Sequence, residues 1–140
     1  MGFALPASIG AKMAFPKKKI LSINGDAGFL MNVQDLETAV RYNINIIVVV
    51  WLDGSYGLIK WKQQVHFDGE HSELRFKNPN FEHLAKSLGM WGMEVTSCDE
   101  LIPALNQAAK QKGPAIIGIP VDYEENMRLT QRLGKVSAIL

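Results

Sequence analysis

Apolar residues along this chain occur in two arrangements: short unbroken runs, and longer stretches where they recur every three or four positions. Ile20 to Ile23 is a β-leaning run that meets Asn24, Gly25 and Asp26, which predicts a buried strand and a turn. Val33, Leu36 and Val40 follow at helical spacing, predicting a helix from Asn32 to Asn43. Ile46 to Trp51 is apolar with no alternation, the pattern of a central parallel strand covered on both faces. Asp53 to Gly57 reads as a loop, and Lys62 to Lys77, polar and without a clear period, as a surface excursion. Pro79 stands where a helix can start, with Asn78 or Asn80 as its cap. Phe81, Leu84, Ala85 and Leu88 make the apolar face of that helix, and Gly89 is placed to end it. Met93 to Val95 predicts a short strand. Ser97 and Glu100 have capping-box spacing ahead of a helix whose inner face is Leu101, Leu105, Ala108 and Ala109. Gly113 and Pro114 stop it, and Ala115 to Ile119 is a further buried strand.

Strands separated by helices of this length imply crossover connections and a parallel sheet with helices on both sides. The expected fold is α/β, a three-layer sandwich on a mostly parallel sheet. One domain is expected over residues 1–126, with residues 127–140 as a polar tail of some helical character. A chain of 140 residues is long enough for such a core. Its net charge of +1 gives no sign of a nucleic-acid partner. A single cysteine, Cys98, excludes an internal disulfide and fits a reducing compartment. The apolar run from Ile46 to Leu52 is far short of the roughly 20 residues that span a bilayer. Met1 to Phe15 is apolar from its first residue but has no basic leader, so it reads neither as a signal peptide nor as a usual polar terminus. The expectation is a cytoplasmic protein with a boundary set by cleavage or cloning.

Ligands of open parallel sheets bind beyond the carboxyl ends of the strands. Two loops meet that condition: Asn24 to Gly28, with glycines on both sides of Asp26, and Asp53 to Gly57. The first lets the backbone approach a ligand closely and precedes a helix whose N–H groups favour an anion. Two carboxylates at neighbouring strand ends would repel each other, and a divalent cation shared with a polyphosphate relieves this. Magnesium prefers such a set of one or two carboxylates, a carbonyl or water, and phosphate oxygens. For either loop alone, an aspartate that merely forms a turn is the commoner reading. The pair is more informative than either member.

Gly25, Asp26 and Ala27, followed 27 positions after Asp26 by Asp53, resemble the signature of thiamine-diphosphate enzymes, with the spacing of acetolactate synthases. Met1 to Gly10 and Asn32 to Tyr42 share the resemblance, which weakens in Lys62 to Lys77 and in the tail. It implies the thiamine-diphosphate-binding fold, with Asp26 and Asp53 ligating Mg2+ through their side chains and Ser55 through its carbonyl. Gly25, Ala27 and Gly28 would contact the diphosphate through the backbone, with Tyr56, Gly57 and Leu58 beside the cofactor. Met1 would occupy the place of the apolar wedge beneath the bent cofactor. The same resemblance implies pyruvate as substrate and 2-acetolactate and CO2 as products, the cofactor carrying the chemistry. It places the activating glutamate on a separate N-terminal domain that no stretch here resembles, so this chain alone would be inactive, and a homodimer or homotetramer is implied at full length.

Asp53 with its Ser-Tyr continuation, the segment Ile119 to Asn126 with its tyrosine, and Trp61 lean toward the catabolic, flavin-free members, so no flavin is expected. An oxidase or a carboligase using another 2-oxo acid shares the same site and remains an alternative, as does a non-catalytic interaction domain of this fold. A dinucleotide or P-loop reading lacks its fingerprint. His66, His71 and His83 show no metal spacing. Lys17 to Lys19 reads as a solvated connection, Cys98 as an unreactive helix-opening thiol, and Trp51 and Trp91 as packing residues.

Overall fold

The computed structural model describes residues 1–67 and 72–123. His71 and the expected tail, residues 127–140, lie outside the described residues. Four parallel strands form one sheet: β1 (Leu21–Gly25), β2 (Ile47–Leu52), β3 (Trp91–Glu94) and β4 (Ala115–Pro120), in the order β1-β2-β4-β3. The helices are α1 (Ala4–Ala14), α2 (Asp26–Leu30), α3 (Asp35–Arg41), α4 (Gly57–His66), α5 (Phe81–Ser87) and α6 (Leu101–Ala108). They lie on both faces, as a parallel sheet requires, so the α/β three-layer reading holds.

Alternate strand residues feed two cores. Val48, Val50 and Ile116 pack with Leu5 and Ile9 of α1, Phe29 of α2, Leu36 and Ala39 of α3, and Phe81 and Ala85 of α5. Val49, Ile117 and Ile119 pack on the other face with Ala104 and Ala108 of α6. β1 is an edge strand, and its residues on that second face, Leu21 and Ile23, are 50% and 55% exposed because α6 covers only the β3–β4 side.

Several elements depart from the hydrophobic pattern. β1 runs on to Gly25, and Asp26 itself opens α2, so the expected turn is a direct strand-to-helix junction. The helix predicted from Asn32 begins at Asp35, because Met31 to Gln34 form turns after the short α2. The apolar terminus is helical, as its pattern suggests, but it is not all core: Phe3 before α1 and Met13 within it remain exposed. β3 starts two residues earlier than predicted; Val95 lies just beyond it and is still buried, its N–H donating to Gly118 O at 3.0 Å. Asn80, not Asn78, caps α5 by accepting from His83 N at 2.7 Å, while Glu94 accepts from Phe81 N at 2.5 Å. Ser97 makes no side-chain cap; Glu100 instead accepts from Thr96 N at 2.7 Å and Thr96 Oγ1 at 3.1 Å, which holds its carboxyl below the usual range. The polar stretch after Lys62 is no uniform excursion: α4 carries the chain to His66, and Leu74 to Phe76 returns to the loop after β2.

Candidate functional site

Register brings the two loops together. Leu21 pairs with Ile47 and Gly25 with Trp51, so Asp26 stands level with Leu52, and Asp53 is one step beyond on the neighbouring parallel strand. Each aspartate thus leaves the carboxyl end of an adjacent strand, the place where open parallel sheets bind ligands. On the same face of β1, Asn24 is buried and donates to Ser22 Oγ at 3.0 Å and Val49 O at 3.3 Å.

Asp26 is 1% exposed, and its carboxylate is wrapped by donors. Oδ1 accepts from Ala27 N at 2.8 Å. Oδ2 accepts from Asp53 N at 3.1 Å, Gly54 N at 2.8 Å and Asn78 Nδ2 at 2.6 Å. Asp53 accepts at Oδ2 from Ser55 Oγ at 2.6 Å. The repulsion expected between two bare acids is therefore eased by hydrogen-bond donors of the chain itself. Gly54 makes this possible: its φ of +64° is the left-handed conformation that glycine adopts without penalty.

The segment after α4 pins the second loop. Ser55 and Arg75 form an antiparallel bridge, flanked by Tyr56 N to Leu74 O at 3.0 Å and Phe76 N to Gly54 O at 3.0 Å. These bonds come from the residues on either side, leaving Ser55's own carbonyl outside that ladder. Tyr56 and Phe76 meet as tilted rings, their centroids 5.3 Å apart and their planes at 58°. Two residues further on, Asn78 reaches Asp26.

A cavity of about 450 Å³ opens over these groups. Of the residues the sequence singled out, Met1, Gly25, Asp26, Ala27, Gly28, Asp53, Ser55, Tyr56, Gly57 and Leu58 all line it. A Cβ at Gly25 would meet nothing within 4 Å, so room is left above that backbone. Ala27's N–H, expected to face a ligand, is turned to Asp26 Oδ1. Asn32 Nδ2 donates to Gly2 O at 2.5 Å and ties the amino terminus to the cavity wall. Among the described residues, no group of three His, Cys, Asp or Glu side chains converges. A cation here needs oxygen from backbone or ligand as well as the two acids.

Sequence reasoning missed Asn78 and Tyr123. In sequence Asn78 offers only a helix cap, and nothing in its spacing ties it to Asp26. Tyr123 belongs to the segment Ile119 to Asn126, which carries no local sign of a place at the site; it lies against Gly57, where a Cβ would come within 2.9 Å of its ring and 3.2 Å of Asp53 Oδ2. His83 is exposed on α5 and Cys98 is exposed, away from the cavity. Trp91 packs against the second core, whereas Trp51 also lines the cavity. Trp61 Nε1 is buried without a partner among the described residues.

A parallel α/β sheet with paired acids at adjacent strand ends and a cavity above them defines a ligand-binding domain of the cofactor-binding kind. Residues 1–119 match the family described as "Thiamine pyrophosphate enzyme, C-terminal TPP binding domain", and the chain belongs to that family. It is 38% identical over 133 residues, 95% of its length, to a catabolic acetolactate synthase of Raoultella terrigena. It is 39% identical over 129 residues to an acetolactate synthase of Bacillus subtilis, and 33% identical over 141 residues to a probable acetolactate synthase large subunit of Methanocaldococcus jannaschii. The chain spans 24%, 22% and 24% of those proteins, so it corresponds to about a quarter of each. No helix among the described residues is long and apolar enough to cross a membrane.

Proposed function

We propose that this chain binds thiamine diphosphate with Mg2+ at the ends of β1 and β2, as the cofactor-anchoring domain of an acetolactate synthase that joins two pyruvates with release of CO2. The observation carrying this reading is the convergence of Asp26 and Asp53, both lining the cavity, with Asp53 N only 3.1 Å from Asp26 Oδ2. The donor set suits the ion. Asp26 Oδ1 has a single N–H partner among the described residues, and Ser55's carbonyl stands outside the Arg75 ladder. Hard oxygen donors of this kind are what Mg2+ takes, with phosphate oxygens completing its shell.

Asp26, Asp53 and the Ser55 carbonyl would hold the ion, Gly25, Ala27 and Gly28 would flank the diphosphate, and Tyr56, Gly57 and Leu58 would line its neighbourhood. Met1 and Phe3 add apolar wall to the cavity. The bound cofactor supplies the thiazolium chemistry that cleaves the carboxyl carbon from a 2-oxo acid. This chain's part is anchoring and orientation, with the other domains of a homodimer or homotetramer completing the site. The names and identities of the relatives support acetolactate synthesis in particular.

Calorimetry of the chain with thiamine diphosphate tests the site. Binding is expected to require Mg2+ and to be lost in Asp26→Asn; equal binding without the ion, or in the variant, overturns the reading. Incubating the full-length enzyme with pyruvate then separates acetolactate from acetyl phosphate as product.

A further inference from the structure

Asn78 stands 52 positions from Asp26, yet its Nδ2 donates to Asp26 Oδ2 at 2.6 Å. Chemistry fixes the orientation of the amide: turned over, its oxygen would face a carboxylate oxygen at that distance, acceptor against acceptor. The amide's own oxygen is buried and has no partner among the described residues. A buried acceptor left unmet is unfavourable, so the charge-assisted bond to Asp26 is what keeps this side chain in place.

Oδ2 of Asp26 thereby receives three donors, from Asp53 N, Gly54 N and Asn78 Nδ2, while Oδ1 receives only Ala27 N. A carboxylate oxygen presents about two lone-pair sites, so Oδ2 is saturated and Oδ1 is not. We infer that Asn78 is a positioning residue that closes Oδ2 of Asp26 to a cation, leaves Oδ1 as its one ligating oxygen, and so favours Mg2+ over Ca2+. The inference rests on the Mg2+-diphosphate reading above. Mg2+ is small, octahedral and takes one oxygen per carboxylate, whereas Ca2+ accepts more oxygens and readily takes a carboxylate through both. An acid with one oxygen shut off serves the first ion and handicaps the second. Asn78 gives the shortest of the three bonds; without it Oδ2 keeps only the longer ones from Asp53 N and Gly54 N, and Asp26 can turn this oxygen toward a large ion at less cost.

The test titrates the chain with Mg2+ and, separately, with Ca2+ at a fixed concentration of thiamine diphosphate, read by the fluorescence of Trp51 at the cavity wall. Asn78→Ala is expected to weaken Mg2+ binding about 10- to 100-fold, as loss of a partner behind a metal ligand does. Ca2+ binding should change much less, so the preference between the ions collapses. Asn78→Leu keeps the volume, removes the donor and should behave alike, with circular dichroism confirming that it folds. A parallel loss of both ions would reveal a purely structural role and overturn the inference. Unchanged Mg2+ affinity in both variants overturns it too, while leaving the Mg2+-diphosphate reading intact. Absence of ion-dependent cofactor binding in the unsubstituted chain overturns both.

Discussion

Replacing Asp26 should destabilise the metal-free chain, even though it removes one of two neighbouring acids. The side chain is 1% exposed and accepts from Ala27 N, Asp53 N, Gly54 N and Asn78 Nδ2 at 2.6–3.1 Å. Hydrogen bonds to a charged acceptor contribute about 1.5–3 kcal/mol each. The cost of burying the carboxylate, several kcal/mol, offsets much of that sum. Asp26→Ala leaves four donors unmet, three of them around Oδ2, and a net loss of about 3–5 kcal/mol is expected. Asp26→Asn can turn its amide oxygen toward those three donors, but its NH2 then faces the N–H of Ala27. It should cost less, about 1–2 kcal/mol. Equilibrium urea unfolding in EDTA measures both. With a slope of about 2 kcal/mol per molar, the midpoint should fall by about 2 M for alanine and by less than about 1 M for asparagine. A midpoint for Asp26→Ala equal to or above that of the unsubstituted chain would refute the reasoning, because it would mean that carboxylate repulsion outweighs the donors.

Three further outcomes follow from the same geometry. Gly57→Ala pushes a methyl group toward the Tyr123 ring and Asp53 Oδ2, 2.9 and 3.2 Å from the built Cβ position, so thiamine diphosphate affinity should fall about tenfold with little loss of stability, because Tyr123 is half exposed and can move; calorimetry beside a thermal melt checks this. Asp53→Asn removes one negative charge beside the proposed diphosphate, so the gain in cofactor affinity on adding Mg2+ should shrink about tenfold; titrations with and without the ion compare the two forms, and equal coupling would count against the charge argument. Glu100 has its carboxyl lowered from an ordinary value of 4.5, first by the Thr96 backbone N–H and then by the Thr96 hydroxyl. Its contribution to stability is present above the ordinary value and lost as pH falls through the lower folded one, so Glu100→Gln should flatten the acid side of the melting profile below about pH 5, without altering cofactor binding.

Much of this protein was legible from local pattern. The unbroken run from Ile46 to Trp51 demands cover on both faces, and the structure supplies it with Val48 and Val50 in one core and Val49 in the other. Asp26 and Asp53, each following a strand, could be placed at one end of a parallel sheet because successive crossovers return strands in the same direction. What the one-dimensional pattern cannot carry is how far one strand slides along another, or which loop folds back. Register sets Gly25 against Trp51 and so makes the two acids neighbours. The polar segment after α4 has no periodicity because its order comes from pairing with another loop, through Tyr56 N to Leu74 O and Phe76 N to Gly54 O. Asn78 is the sharpest case. An asparagine before a proline reads as a cap, since short-range bonding is all a local window can weigh. Only tertiary structure delivers its amide to a buried carboxylate 52 residues away, where the strength of a charged hydrogen bond outweighs any local use.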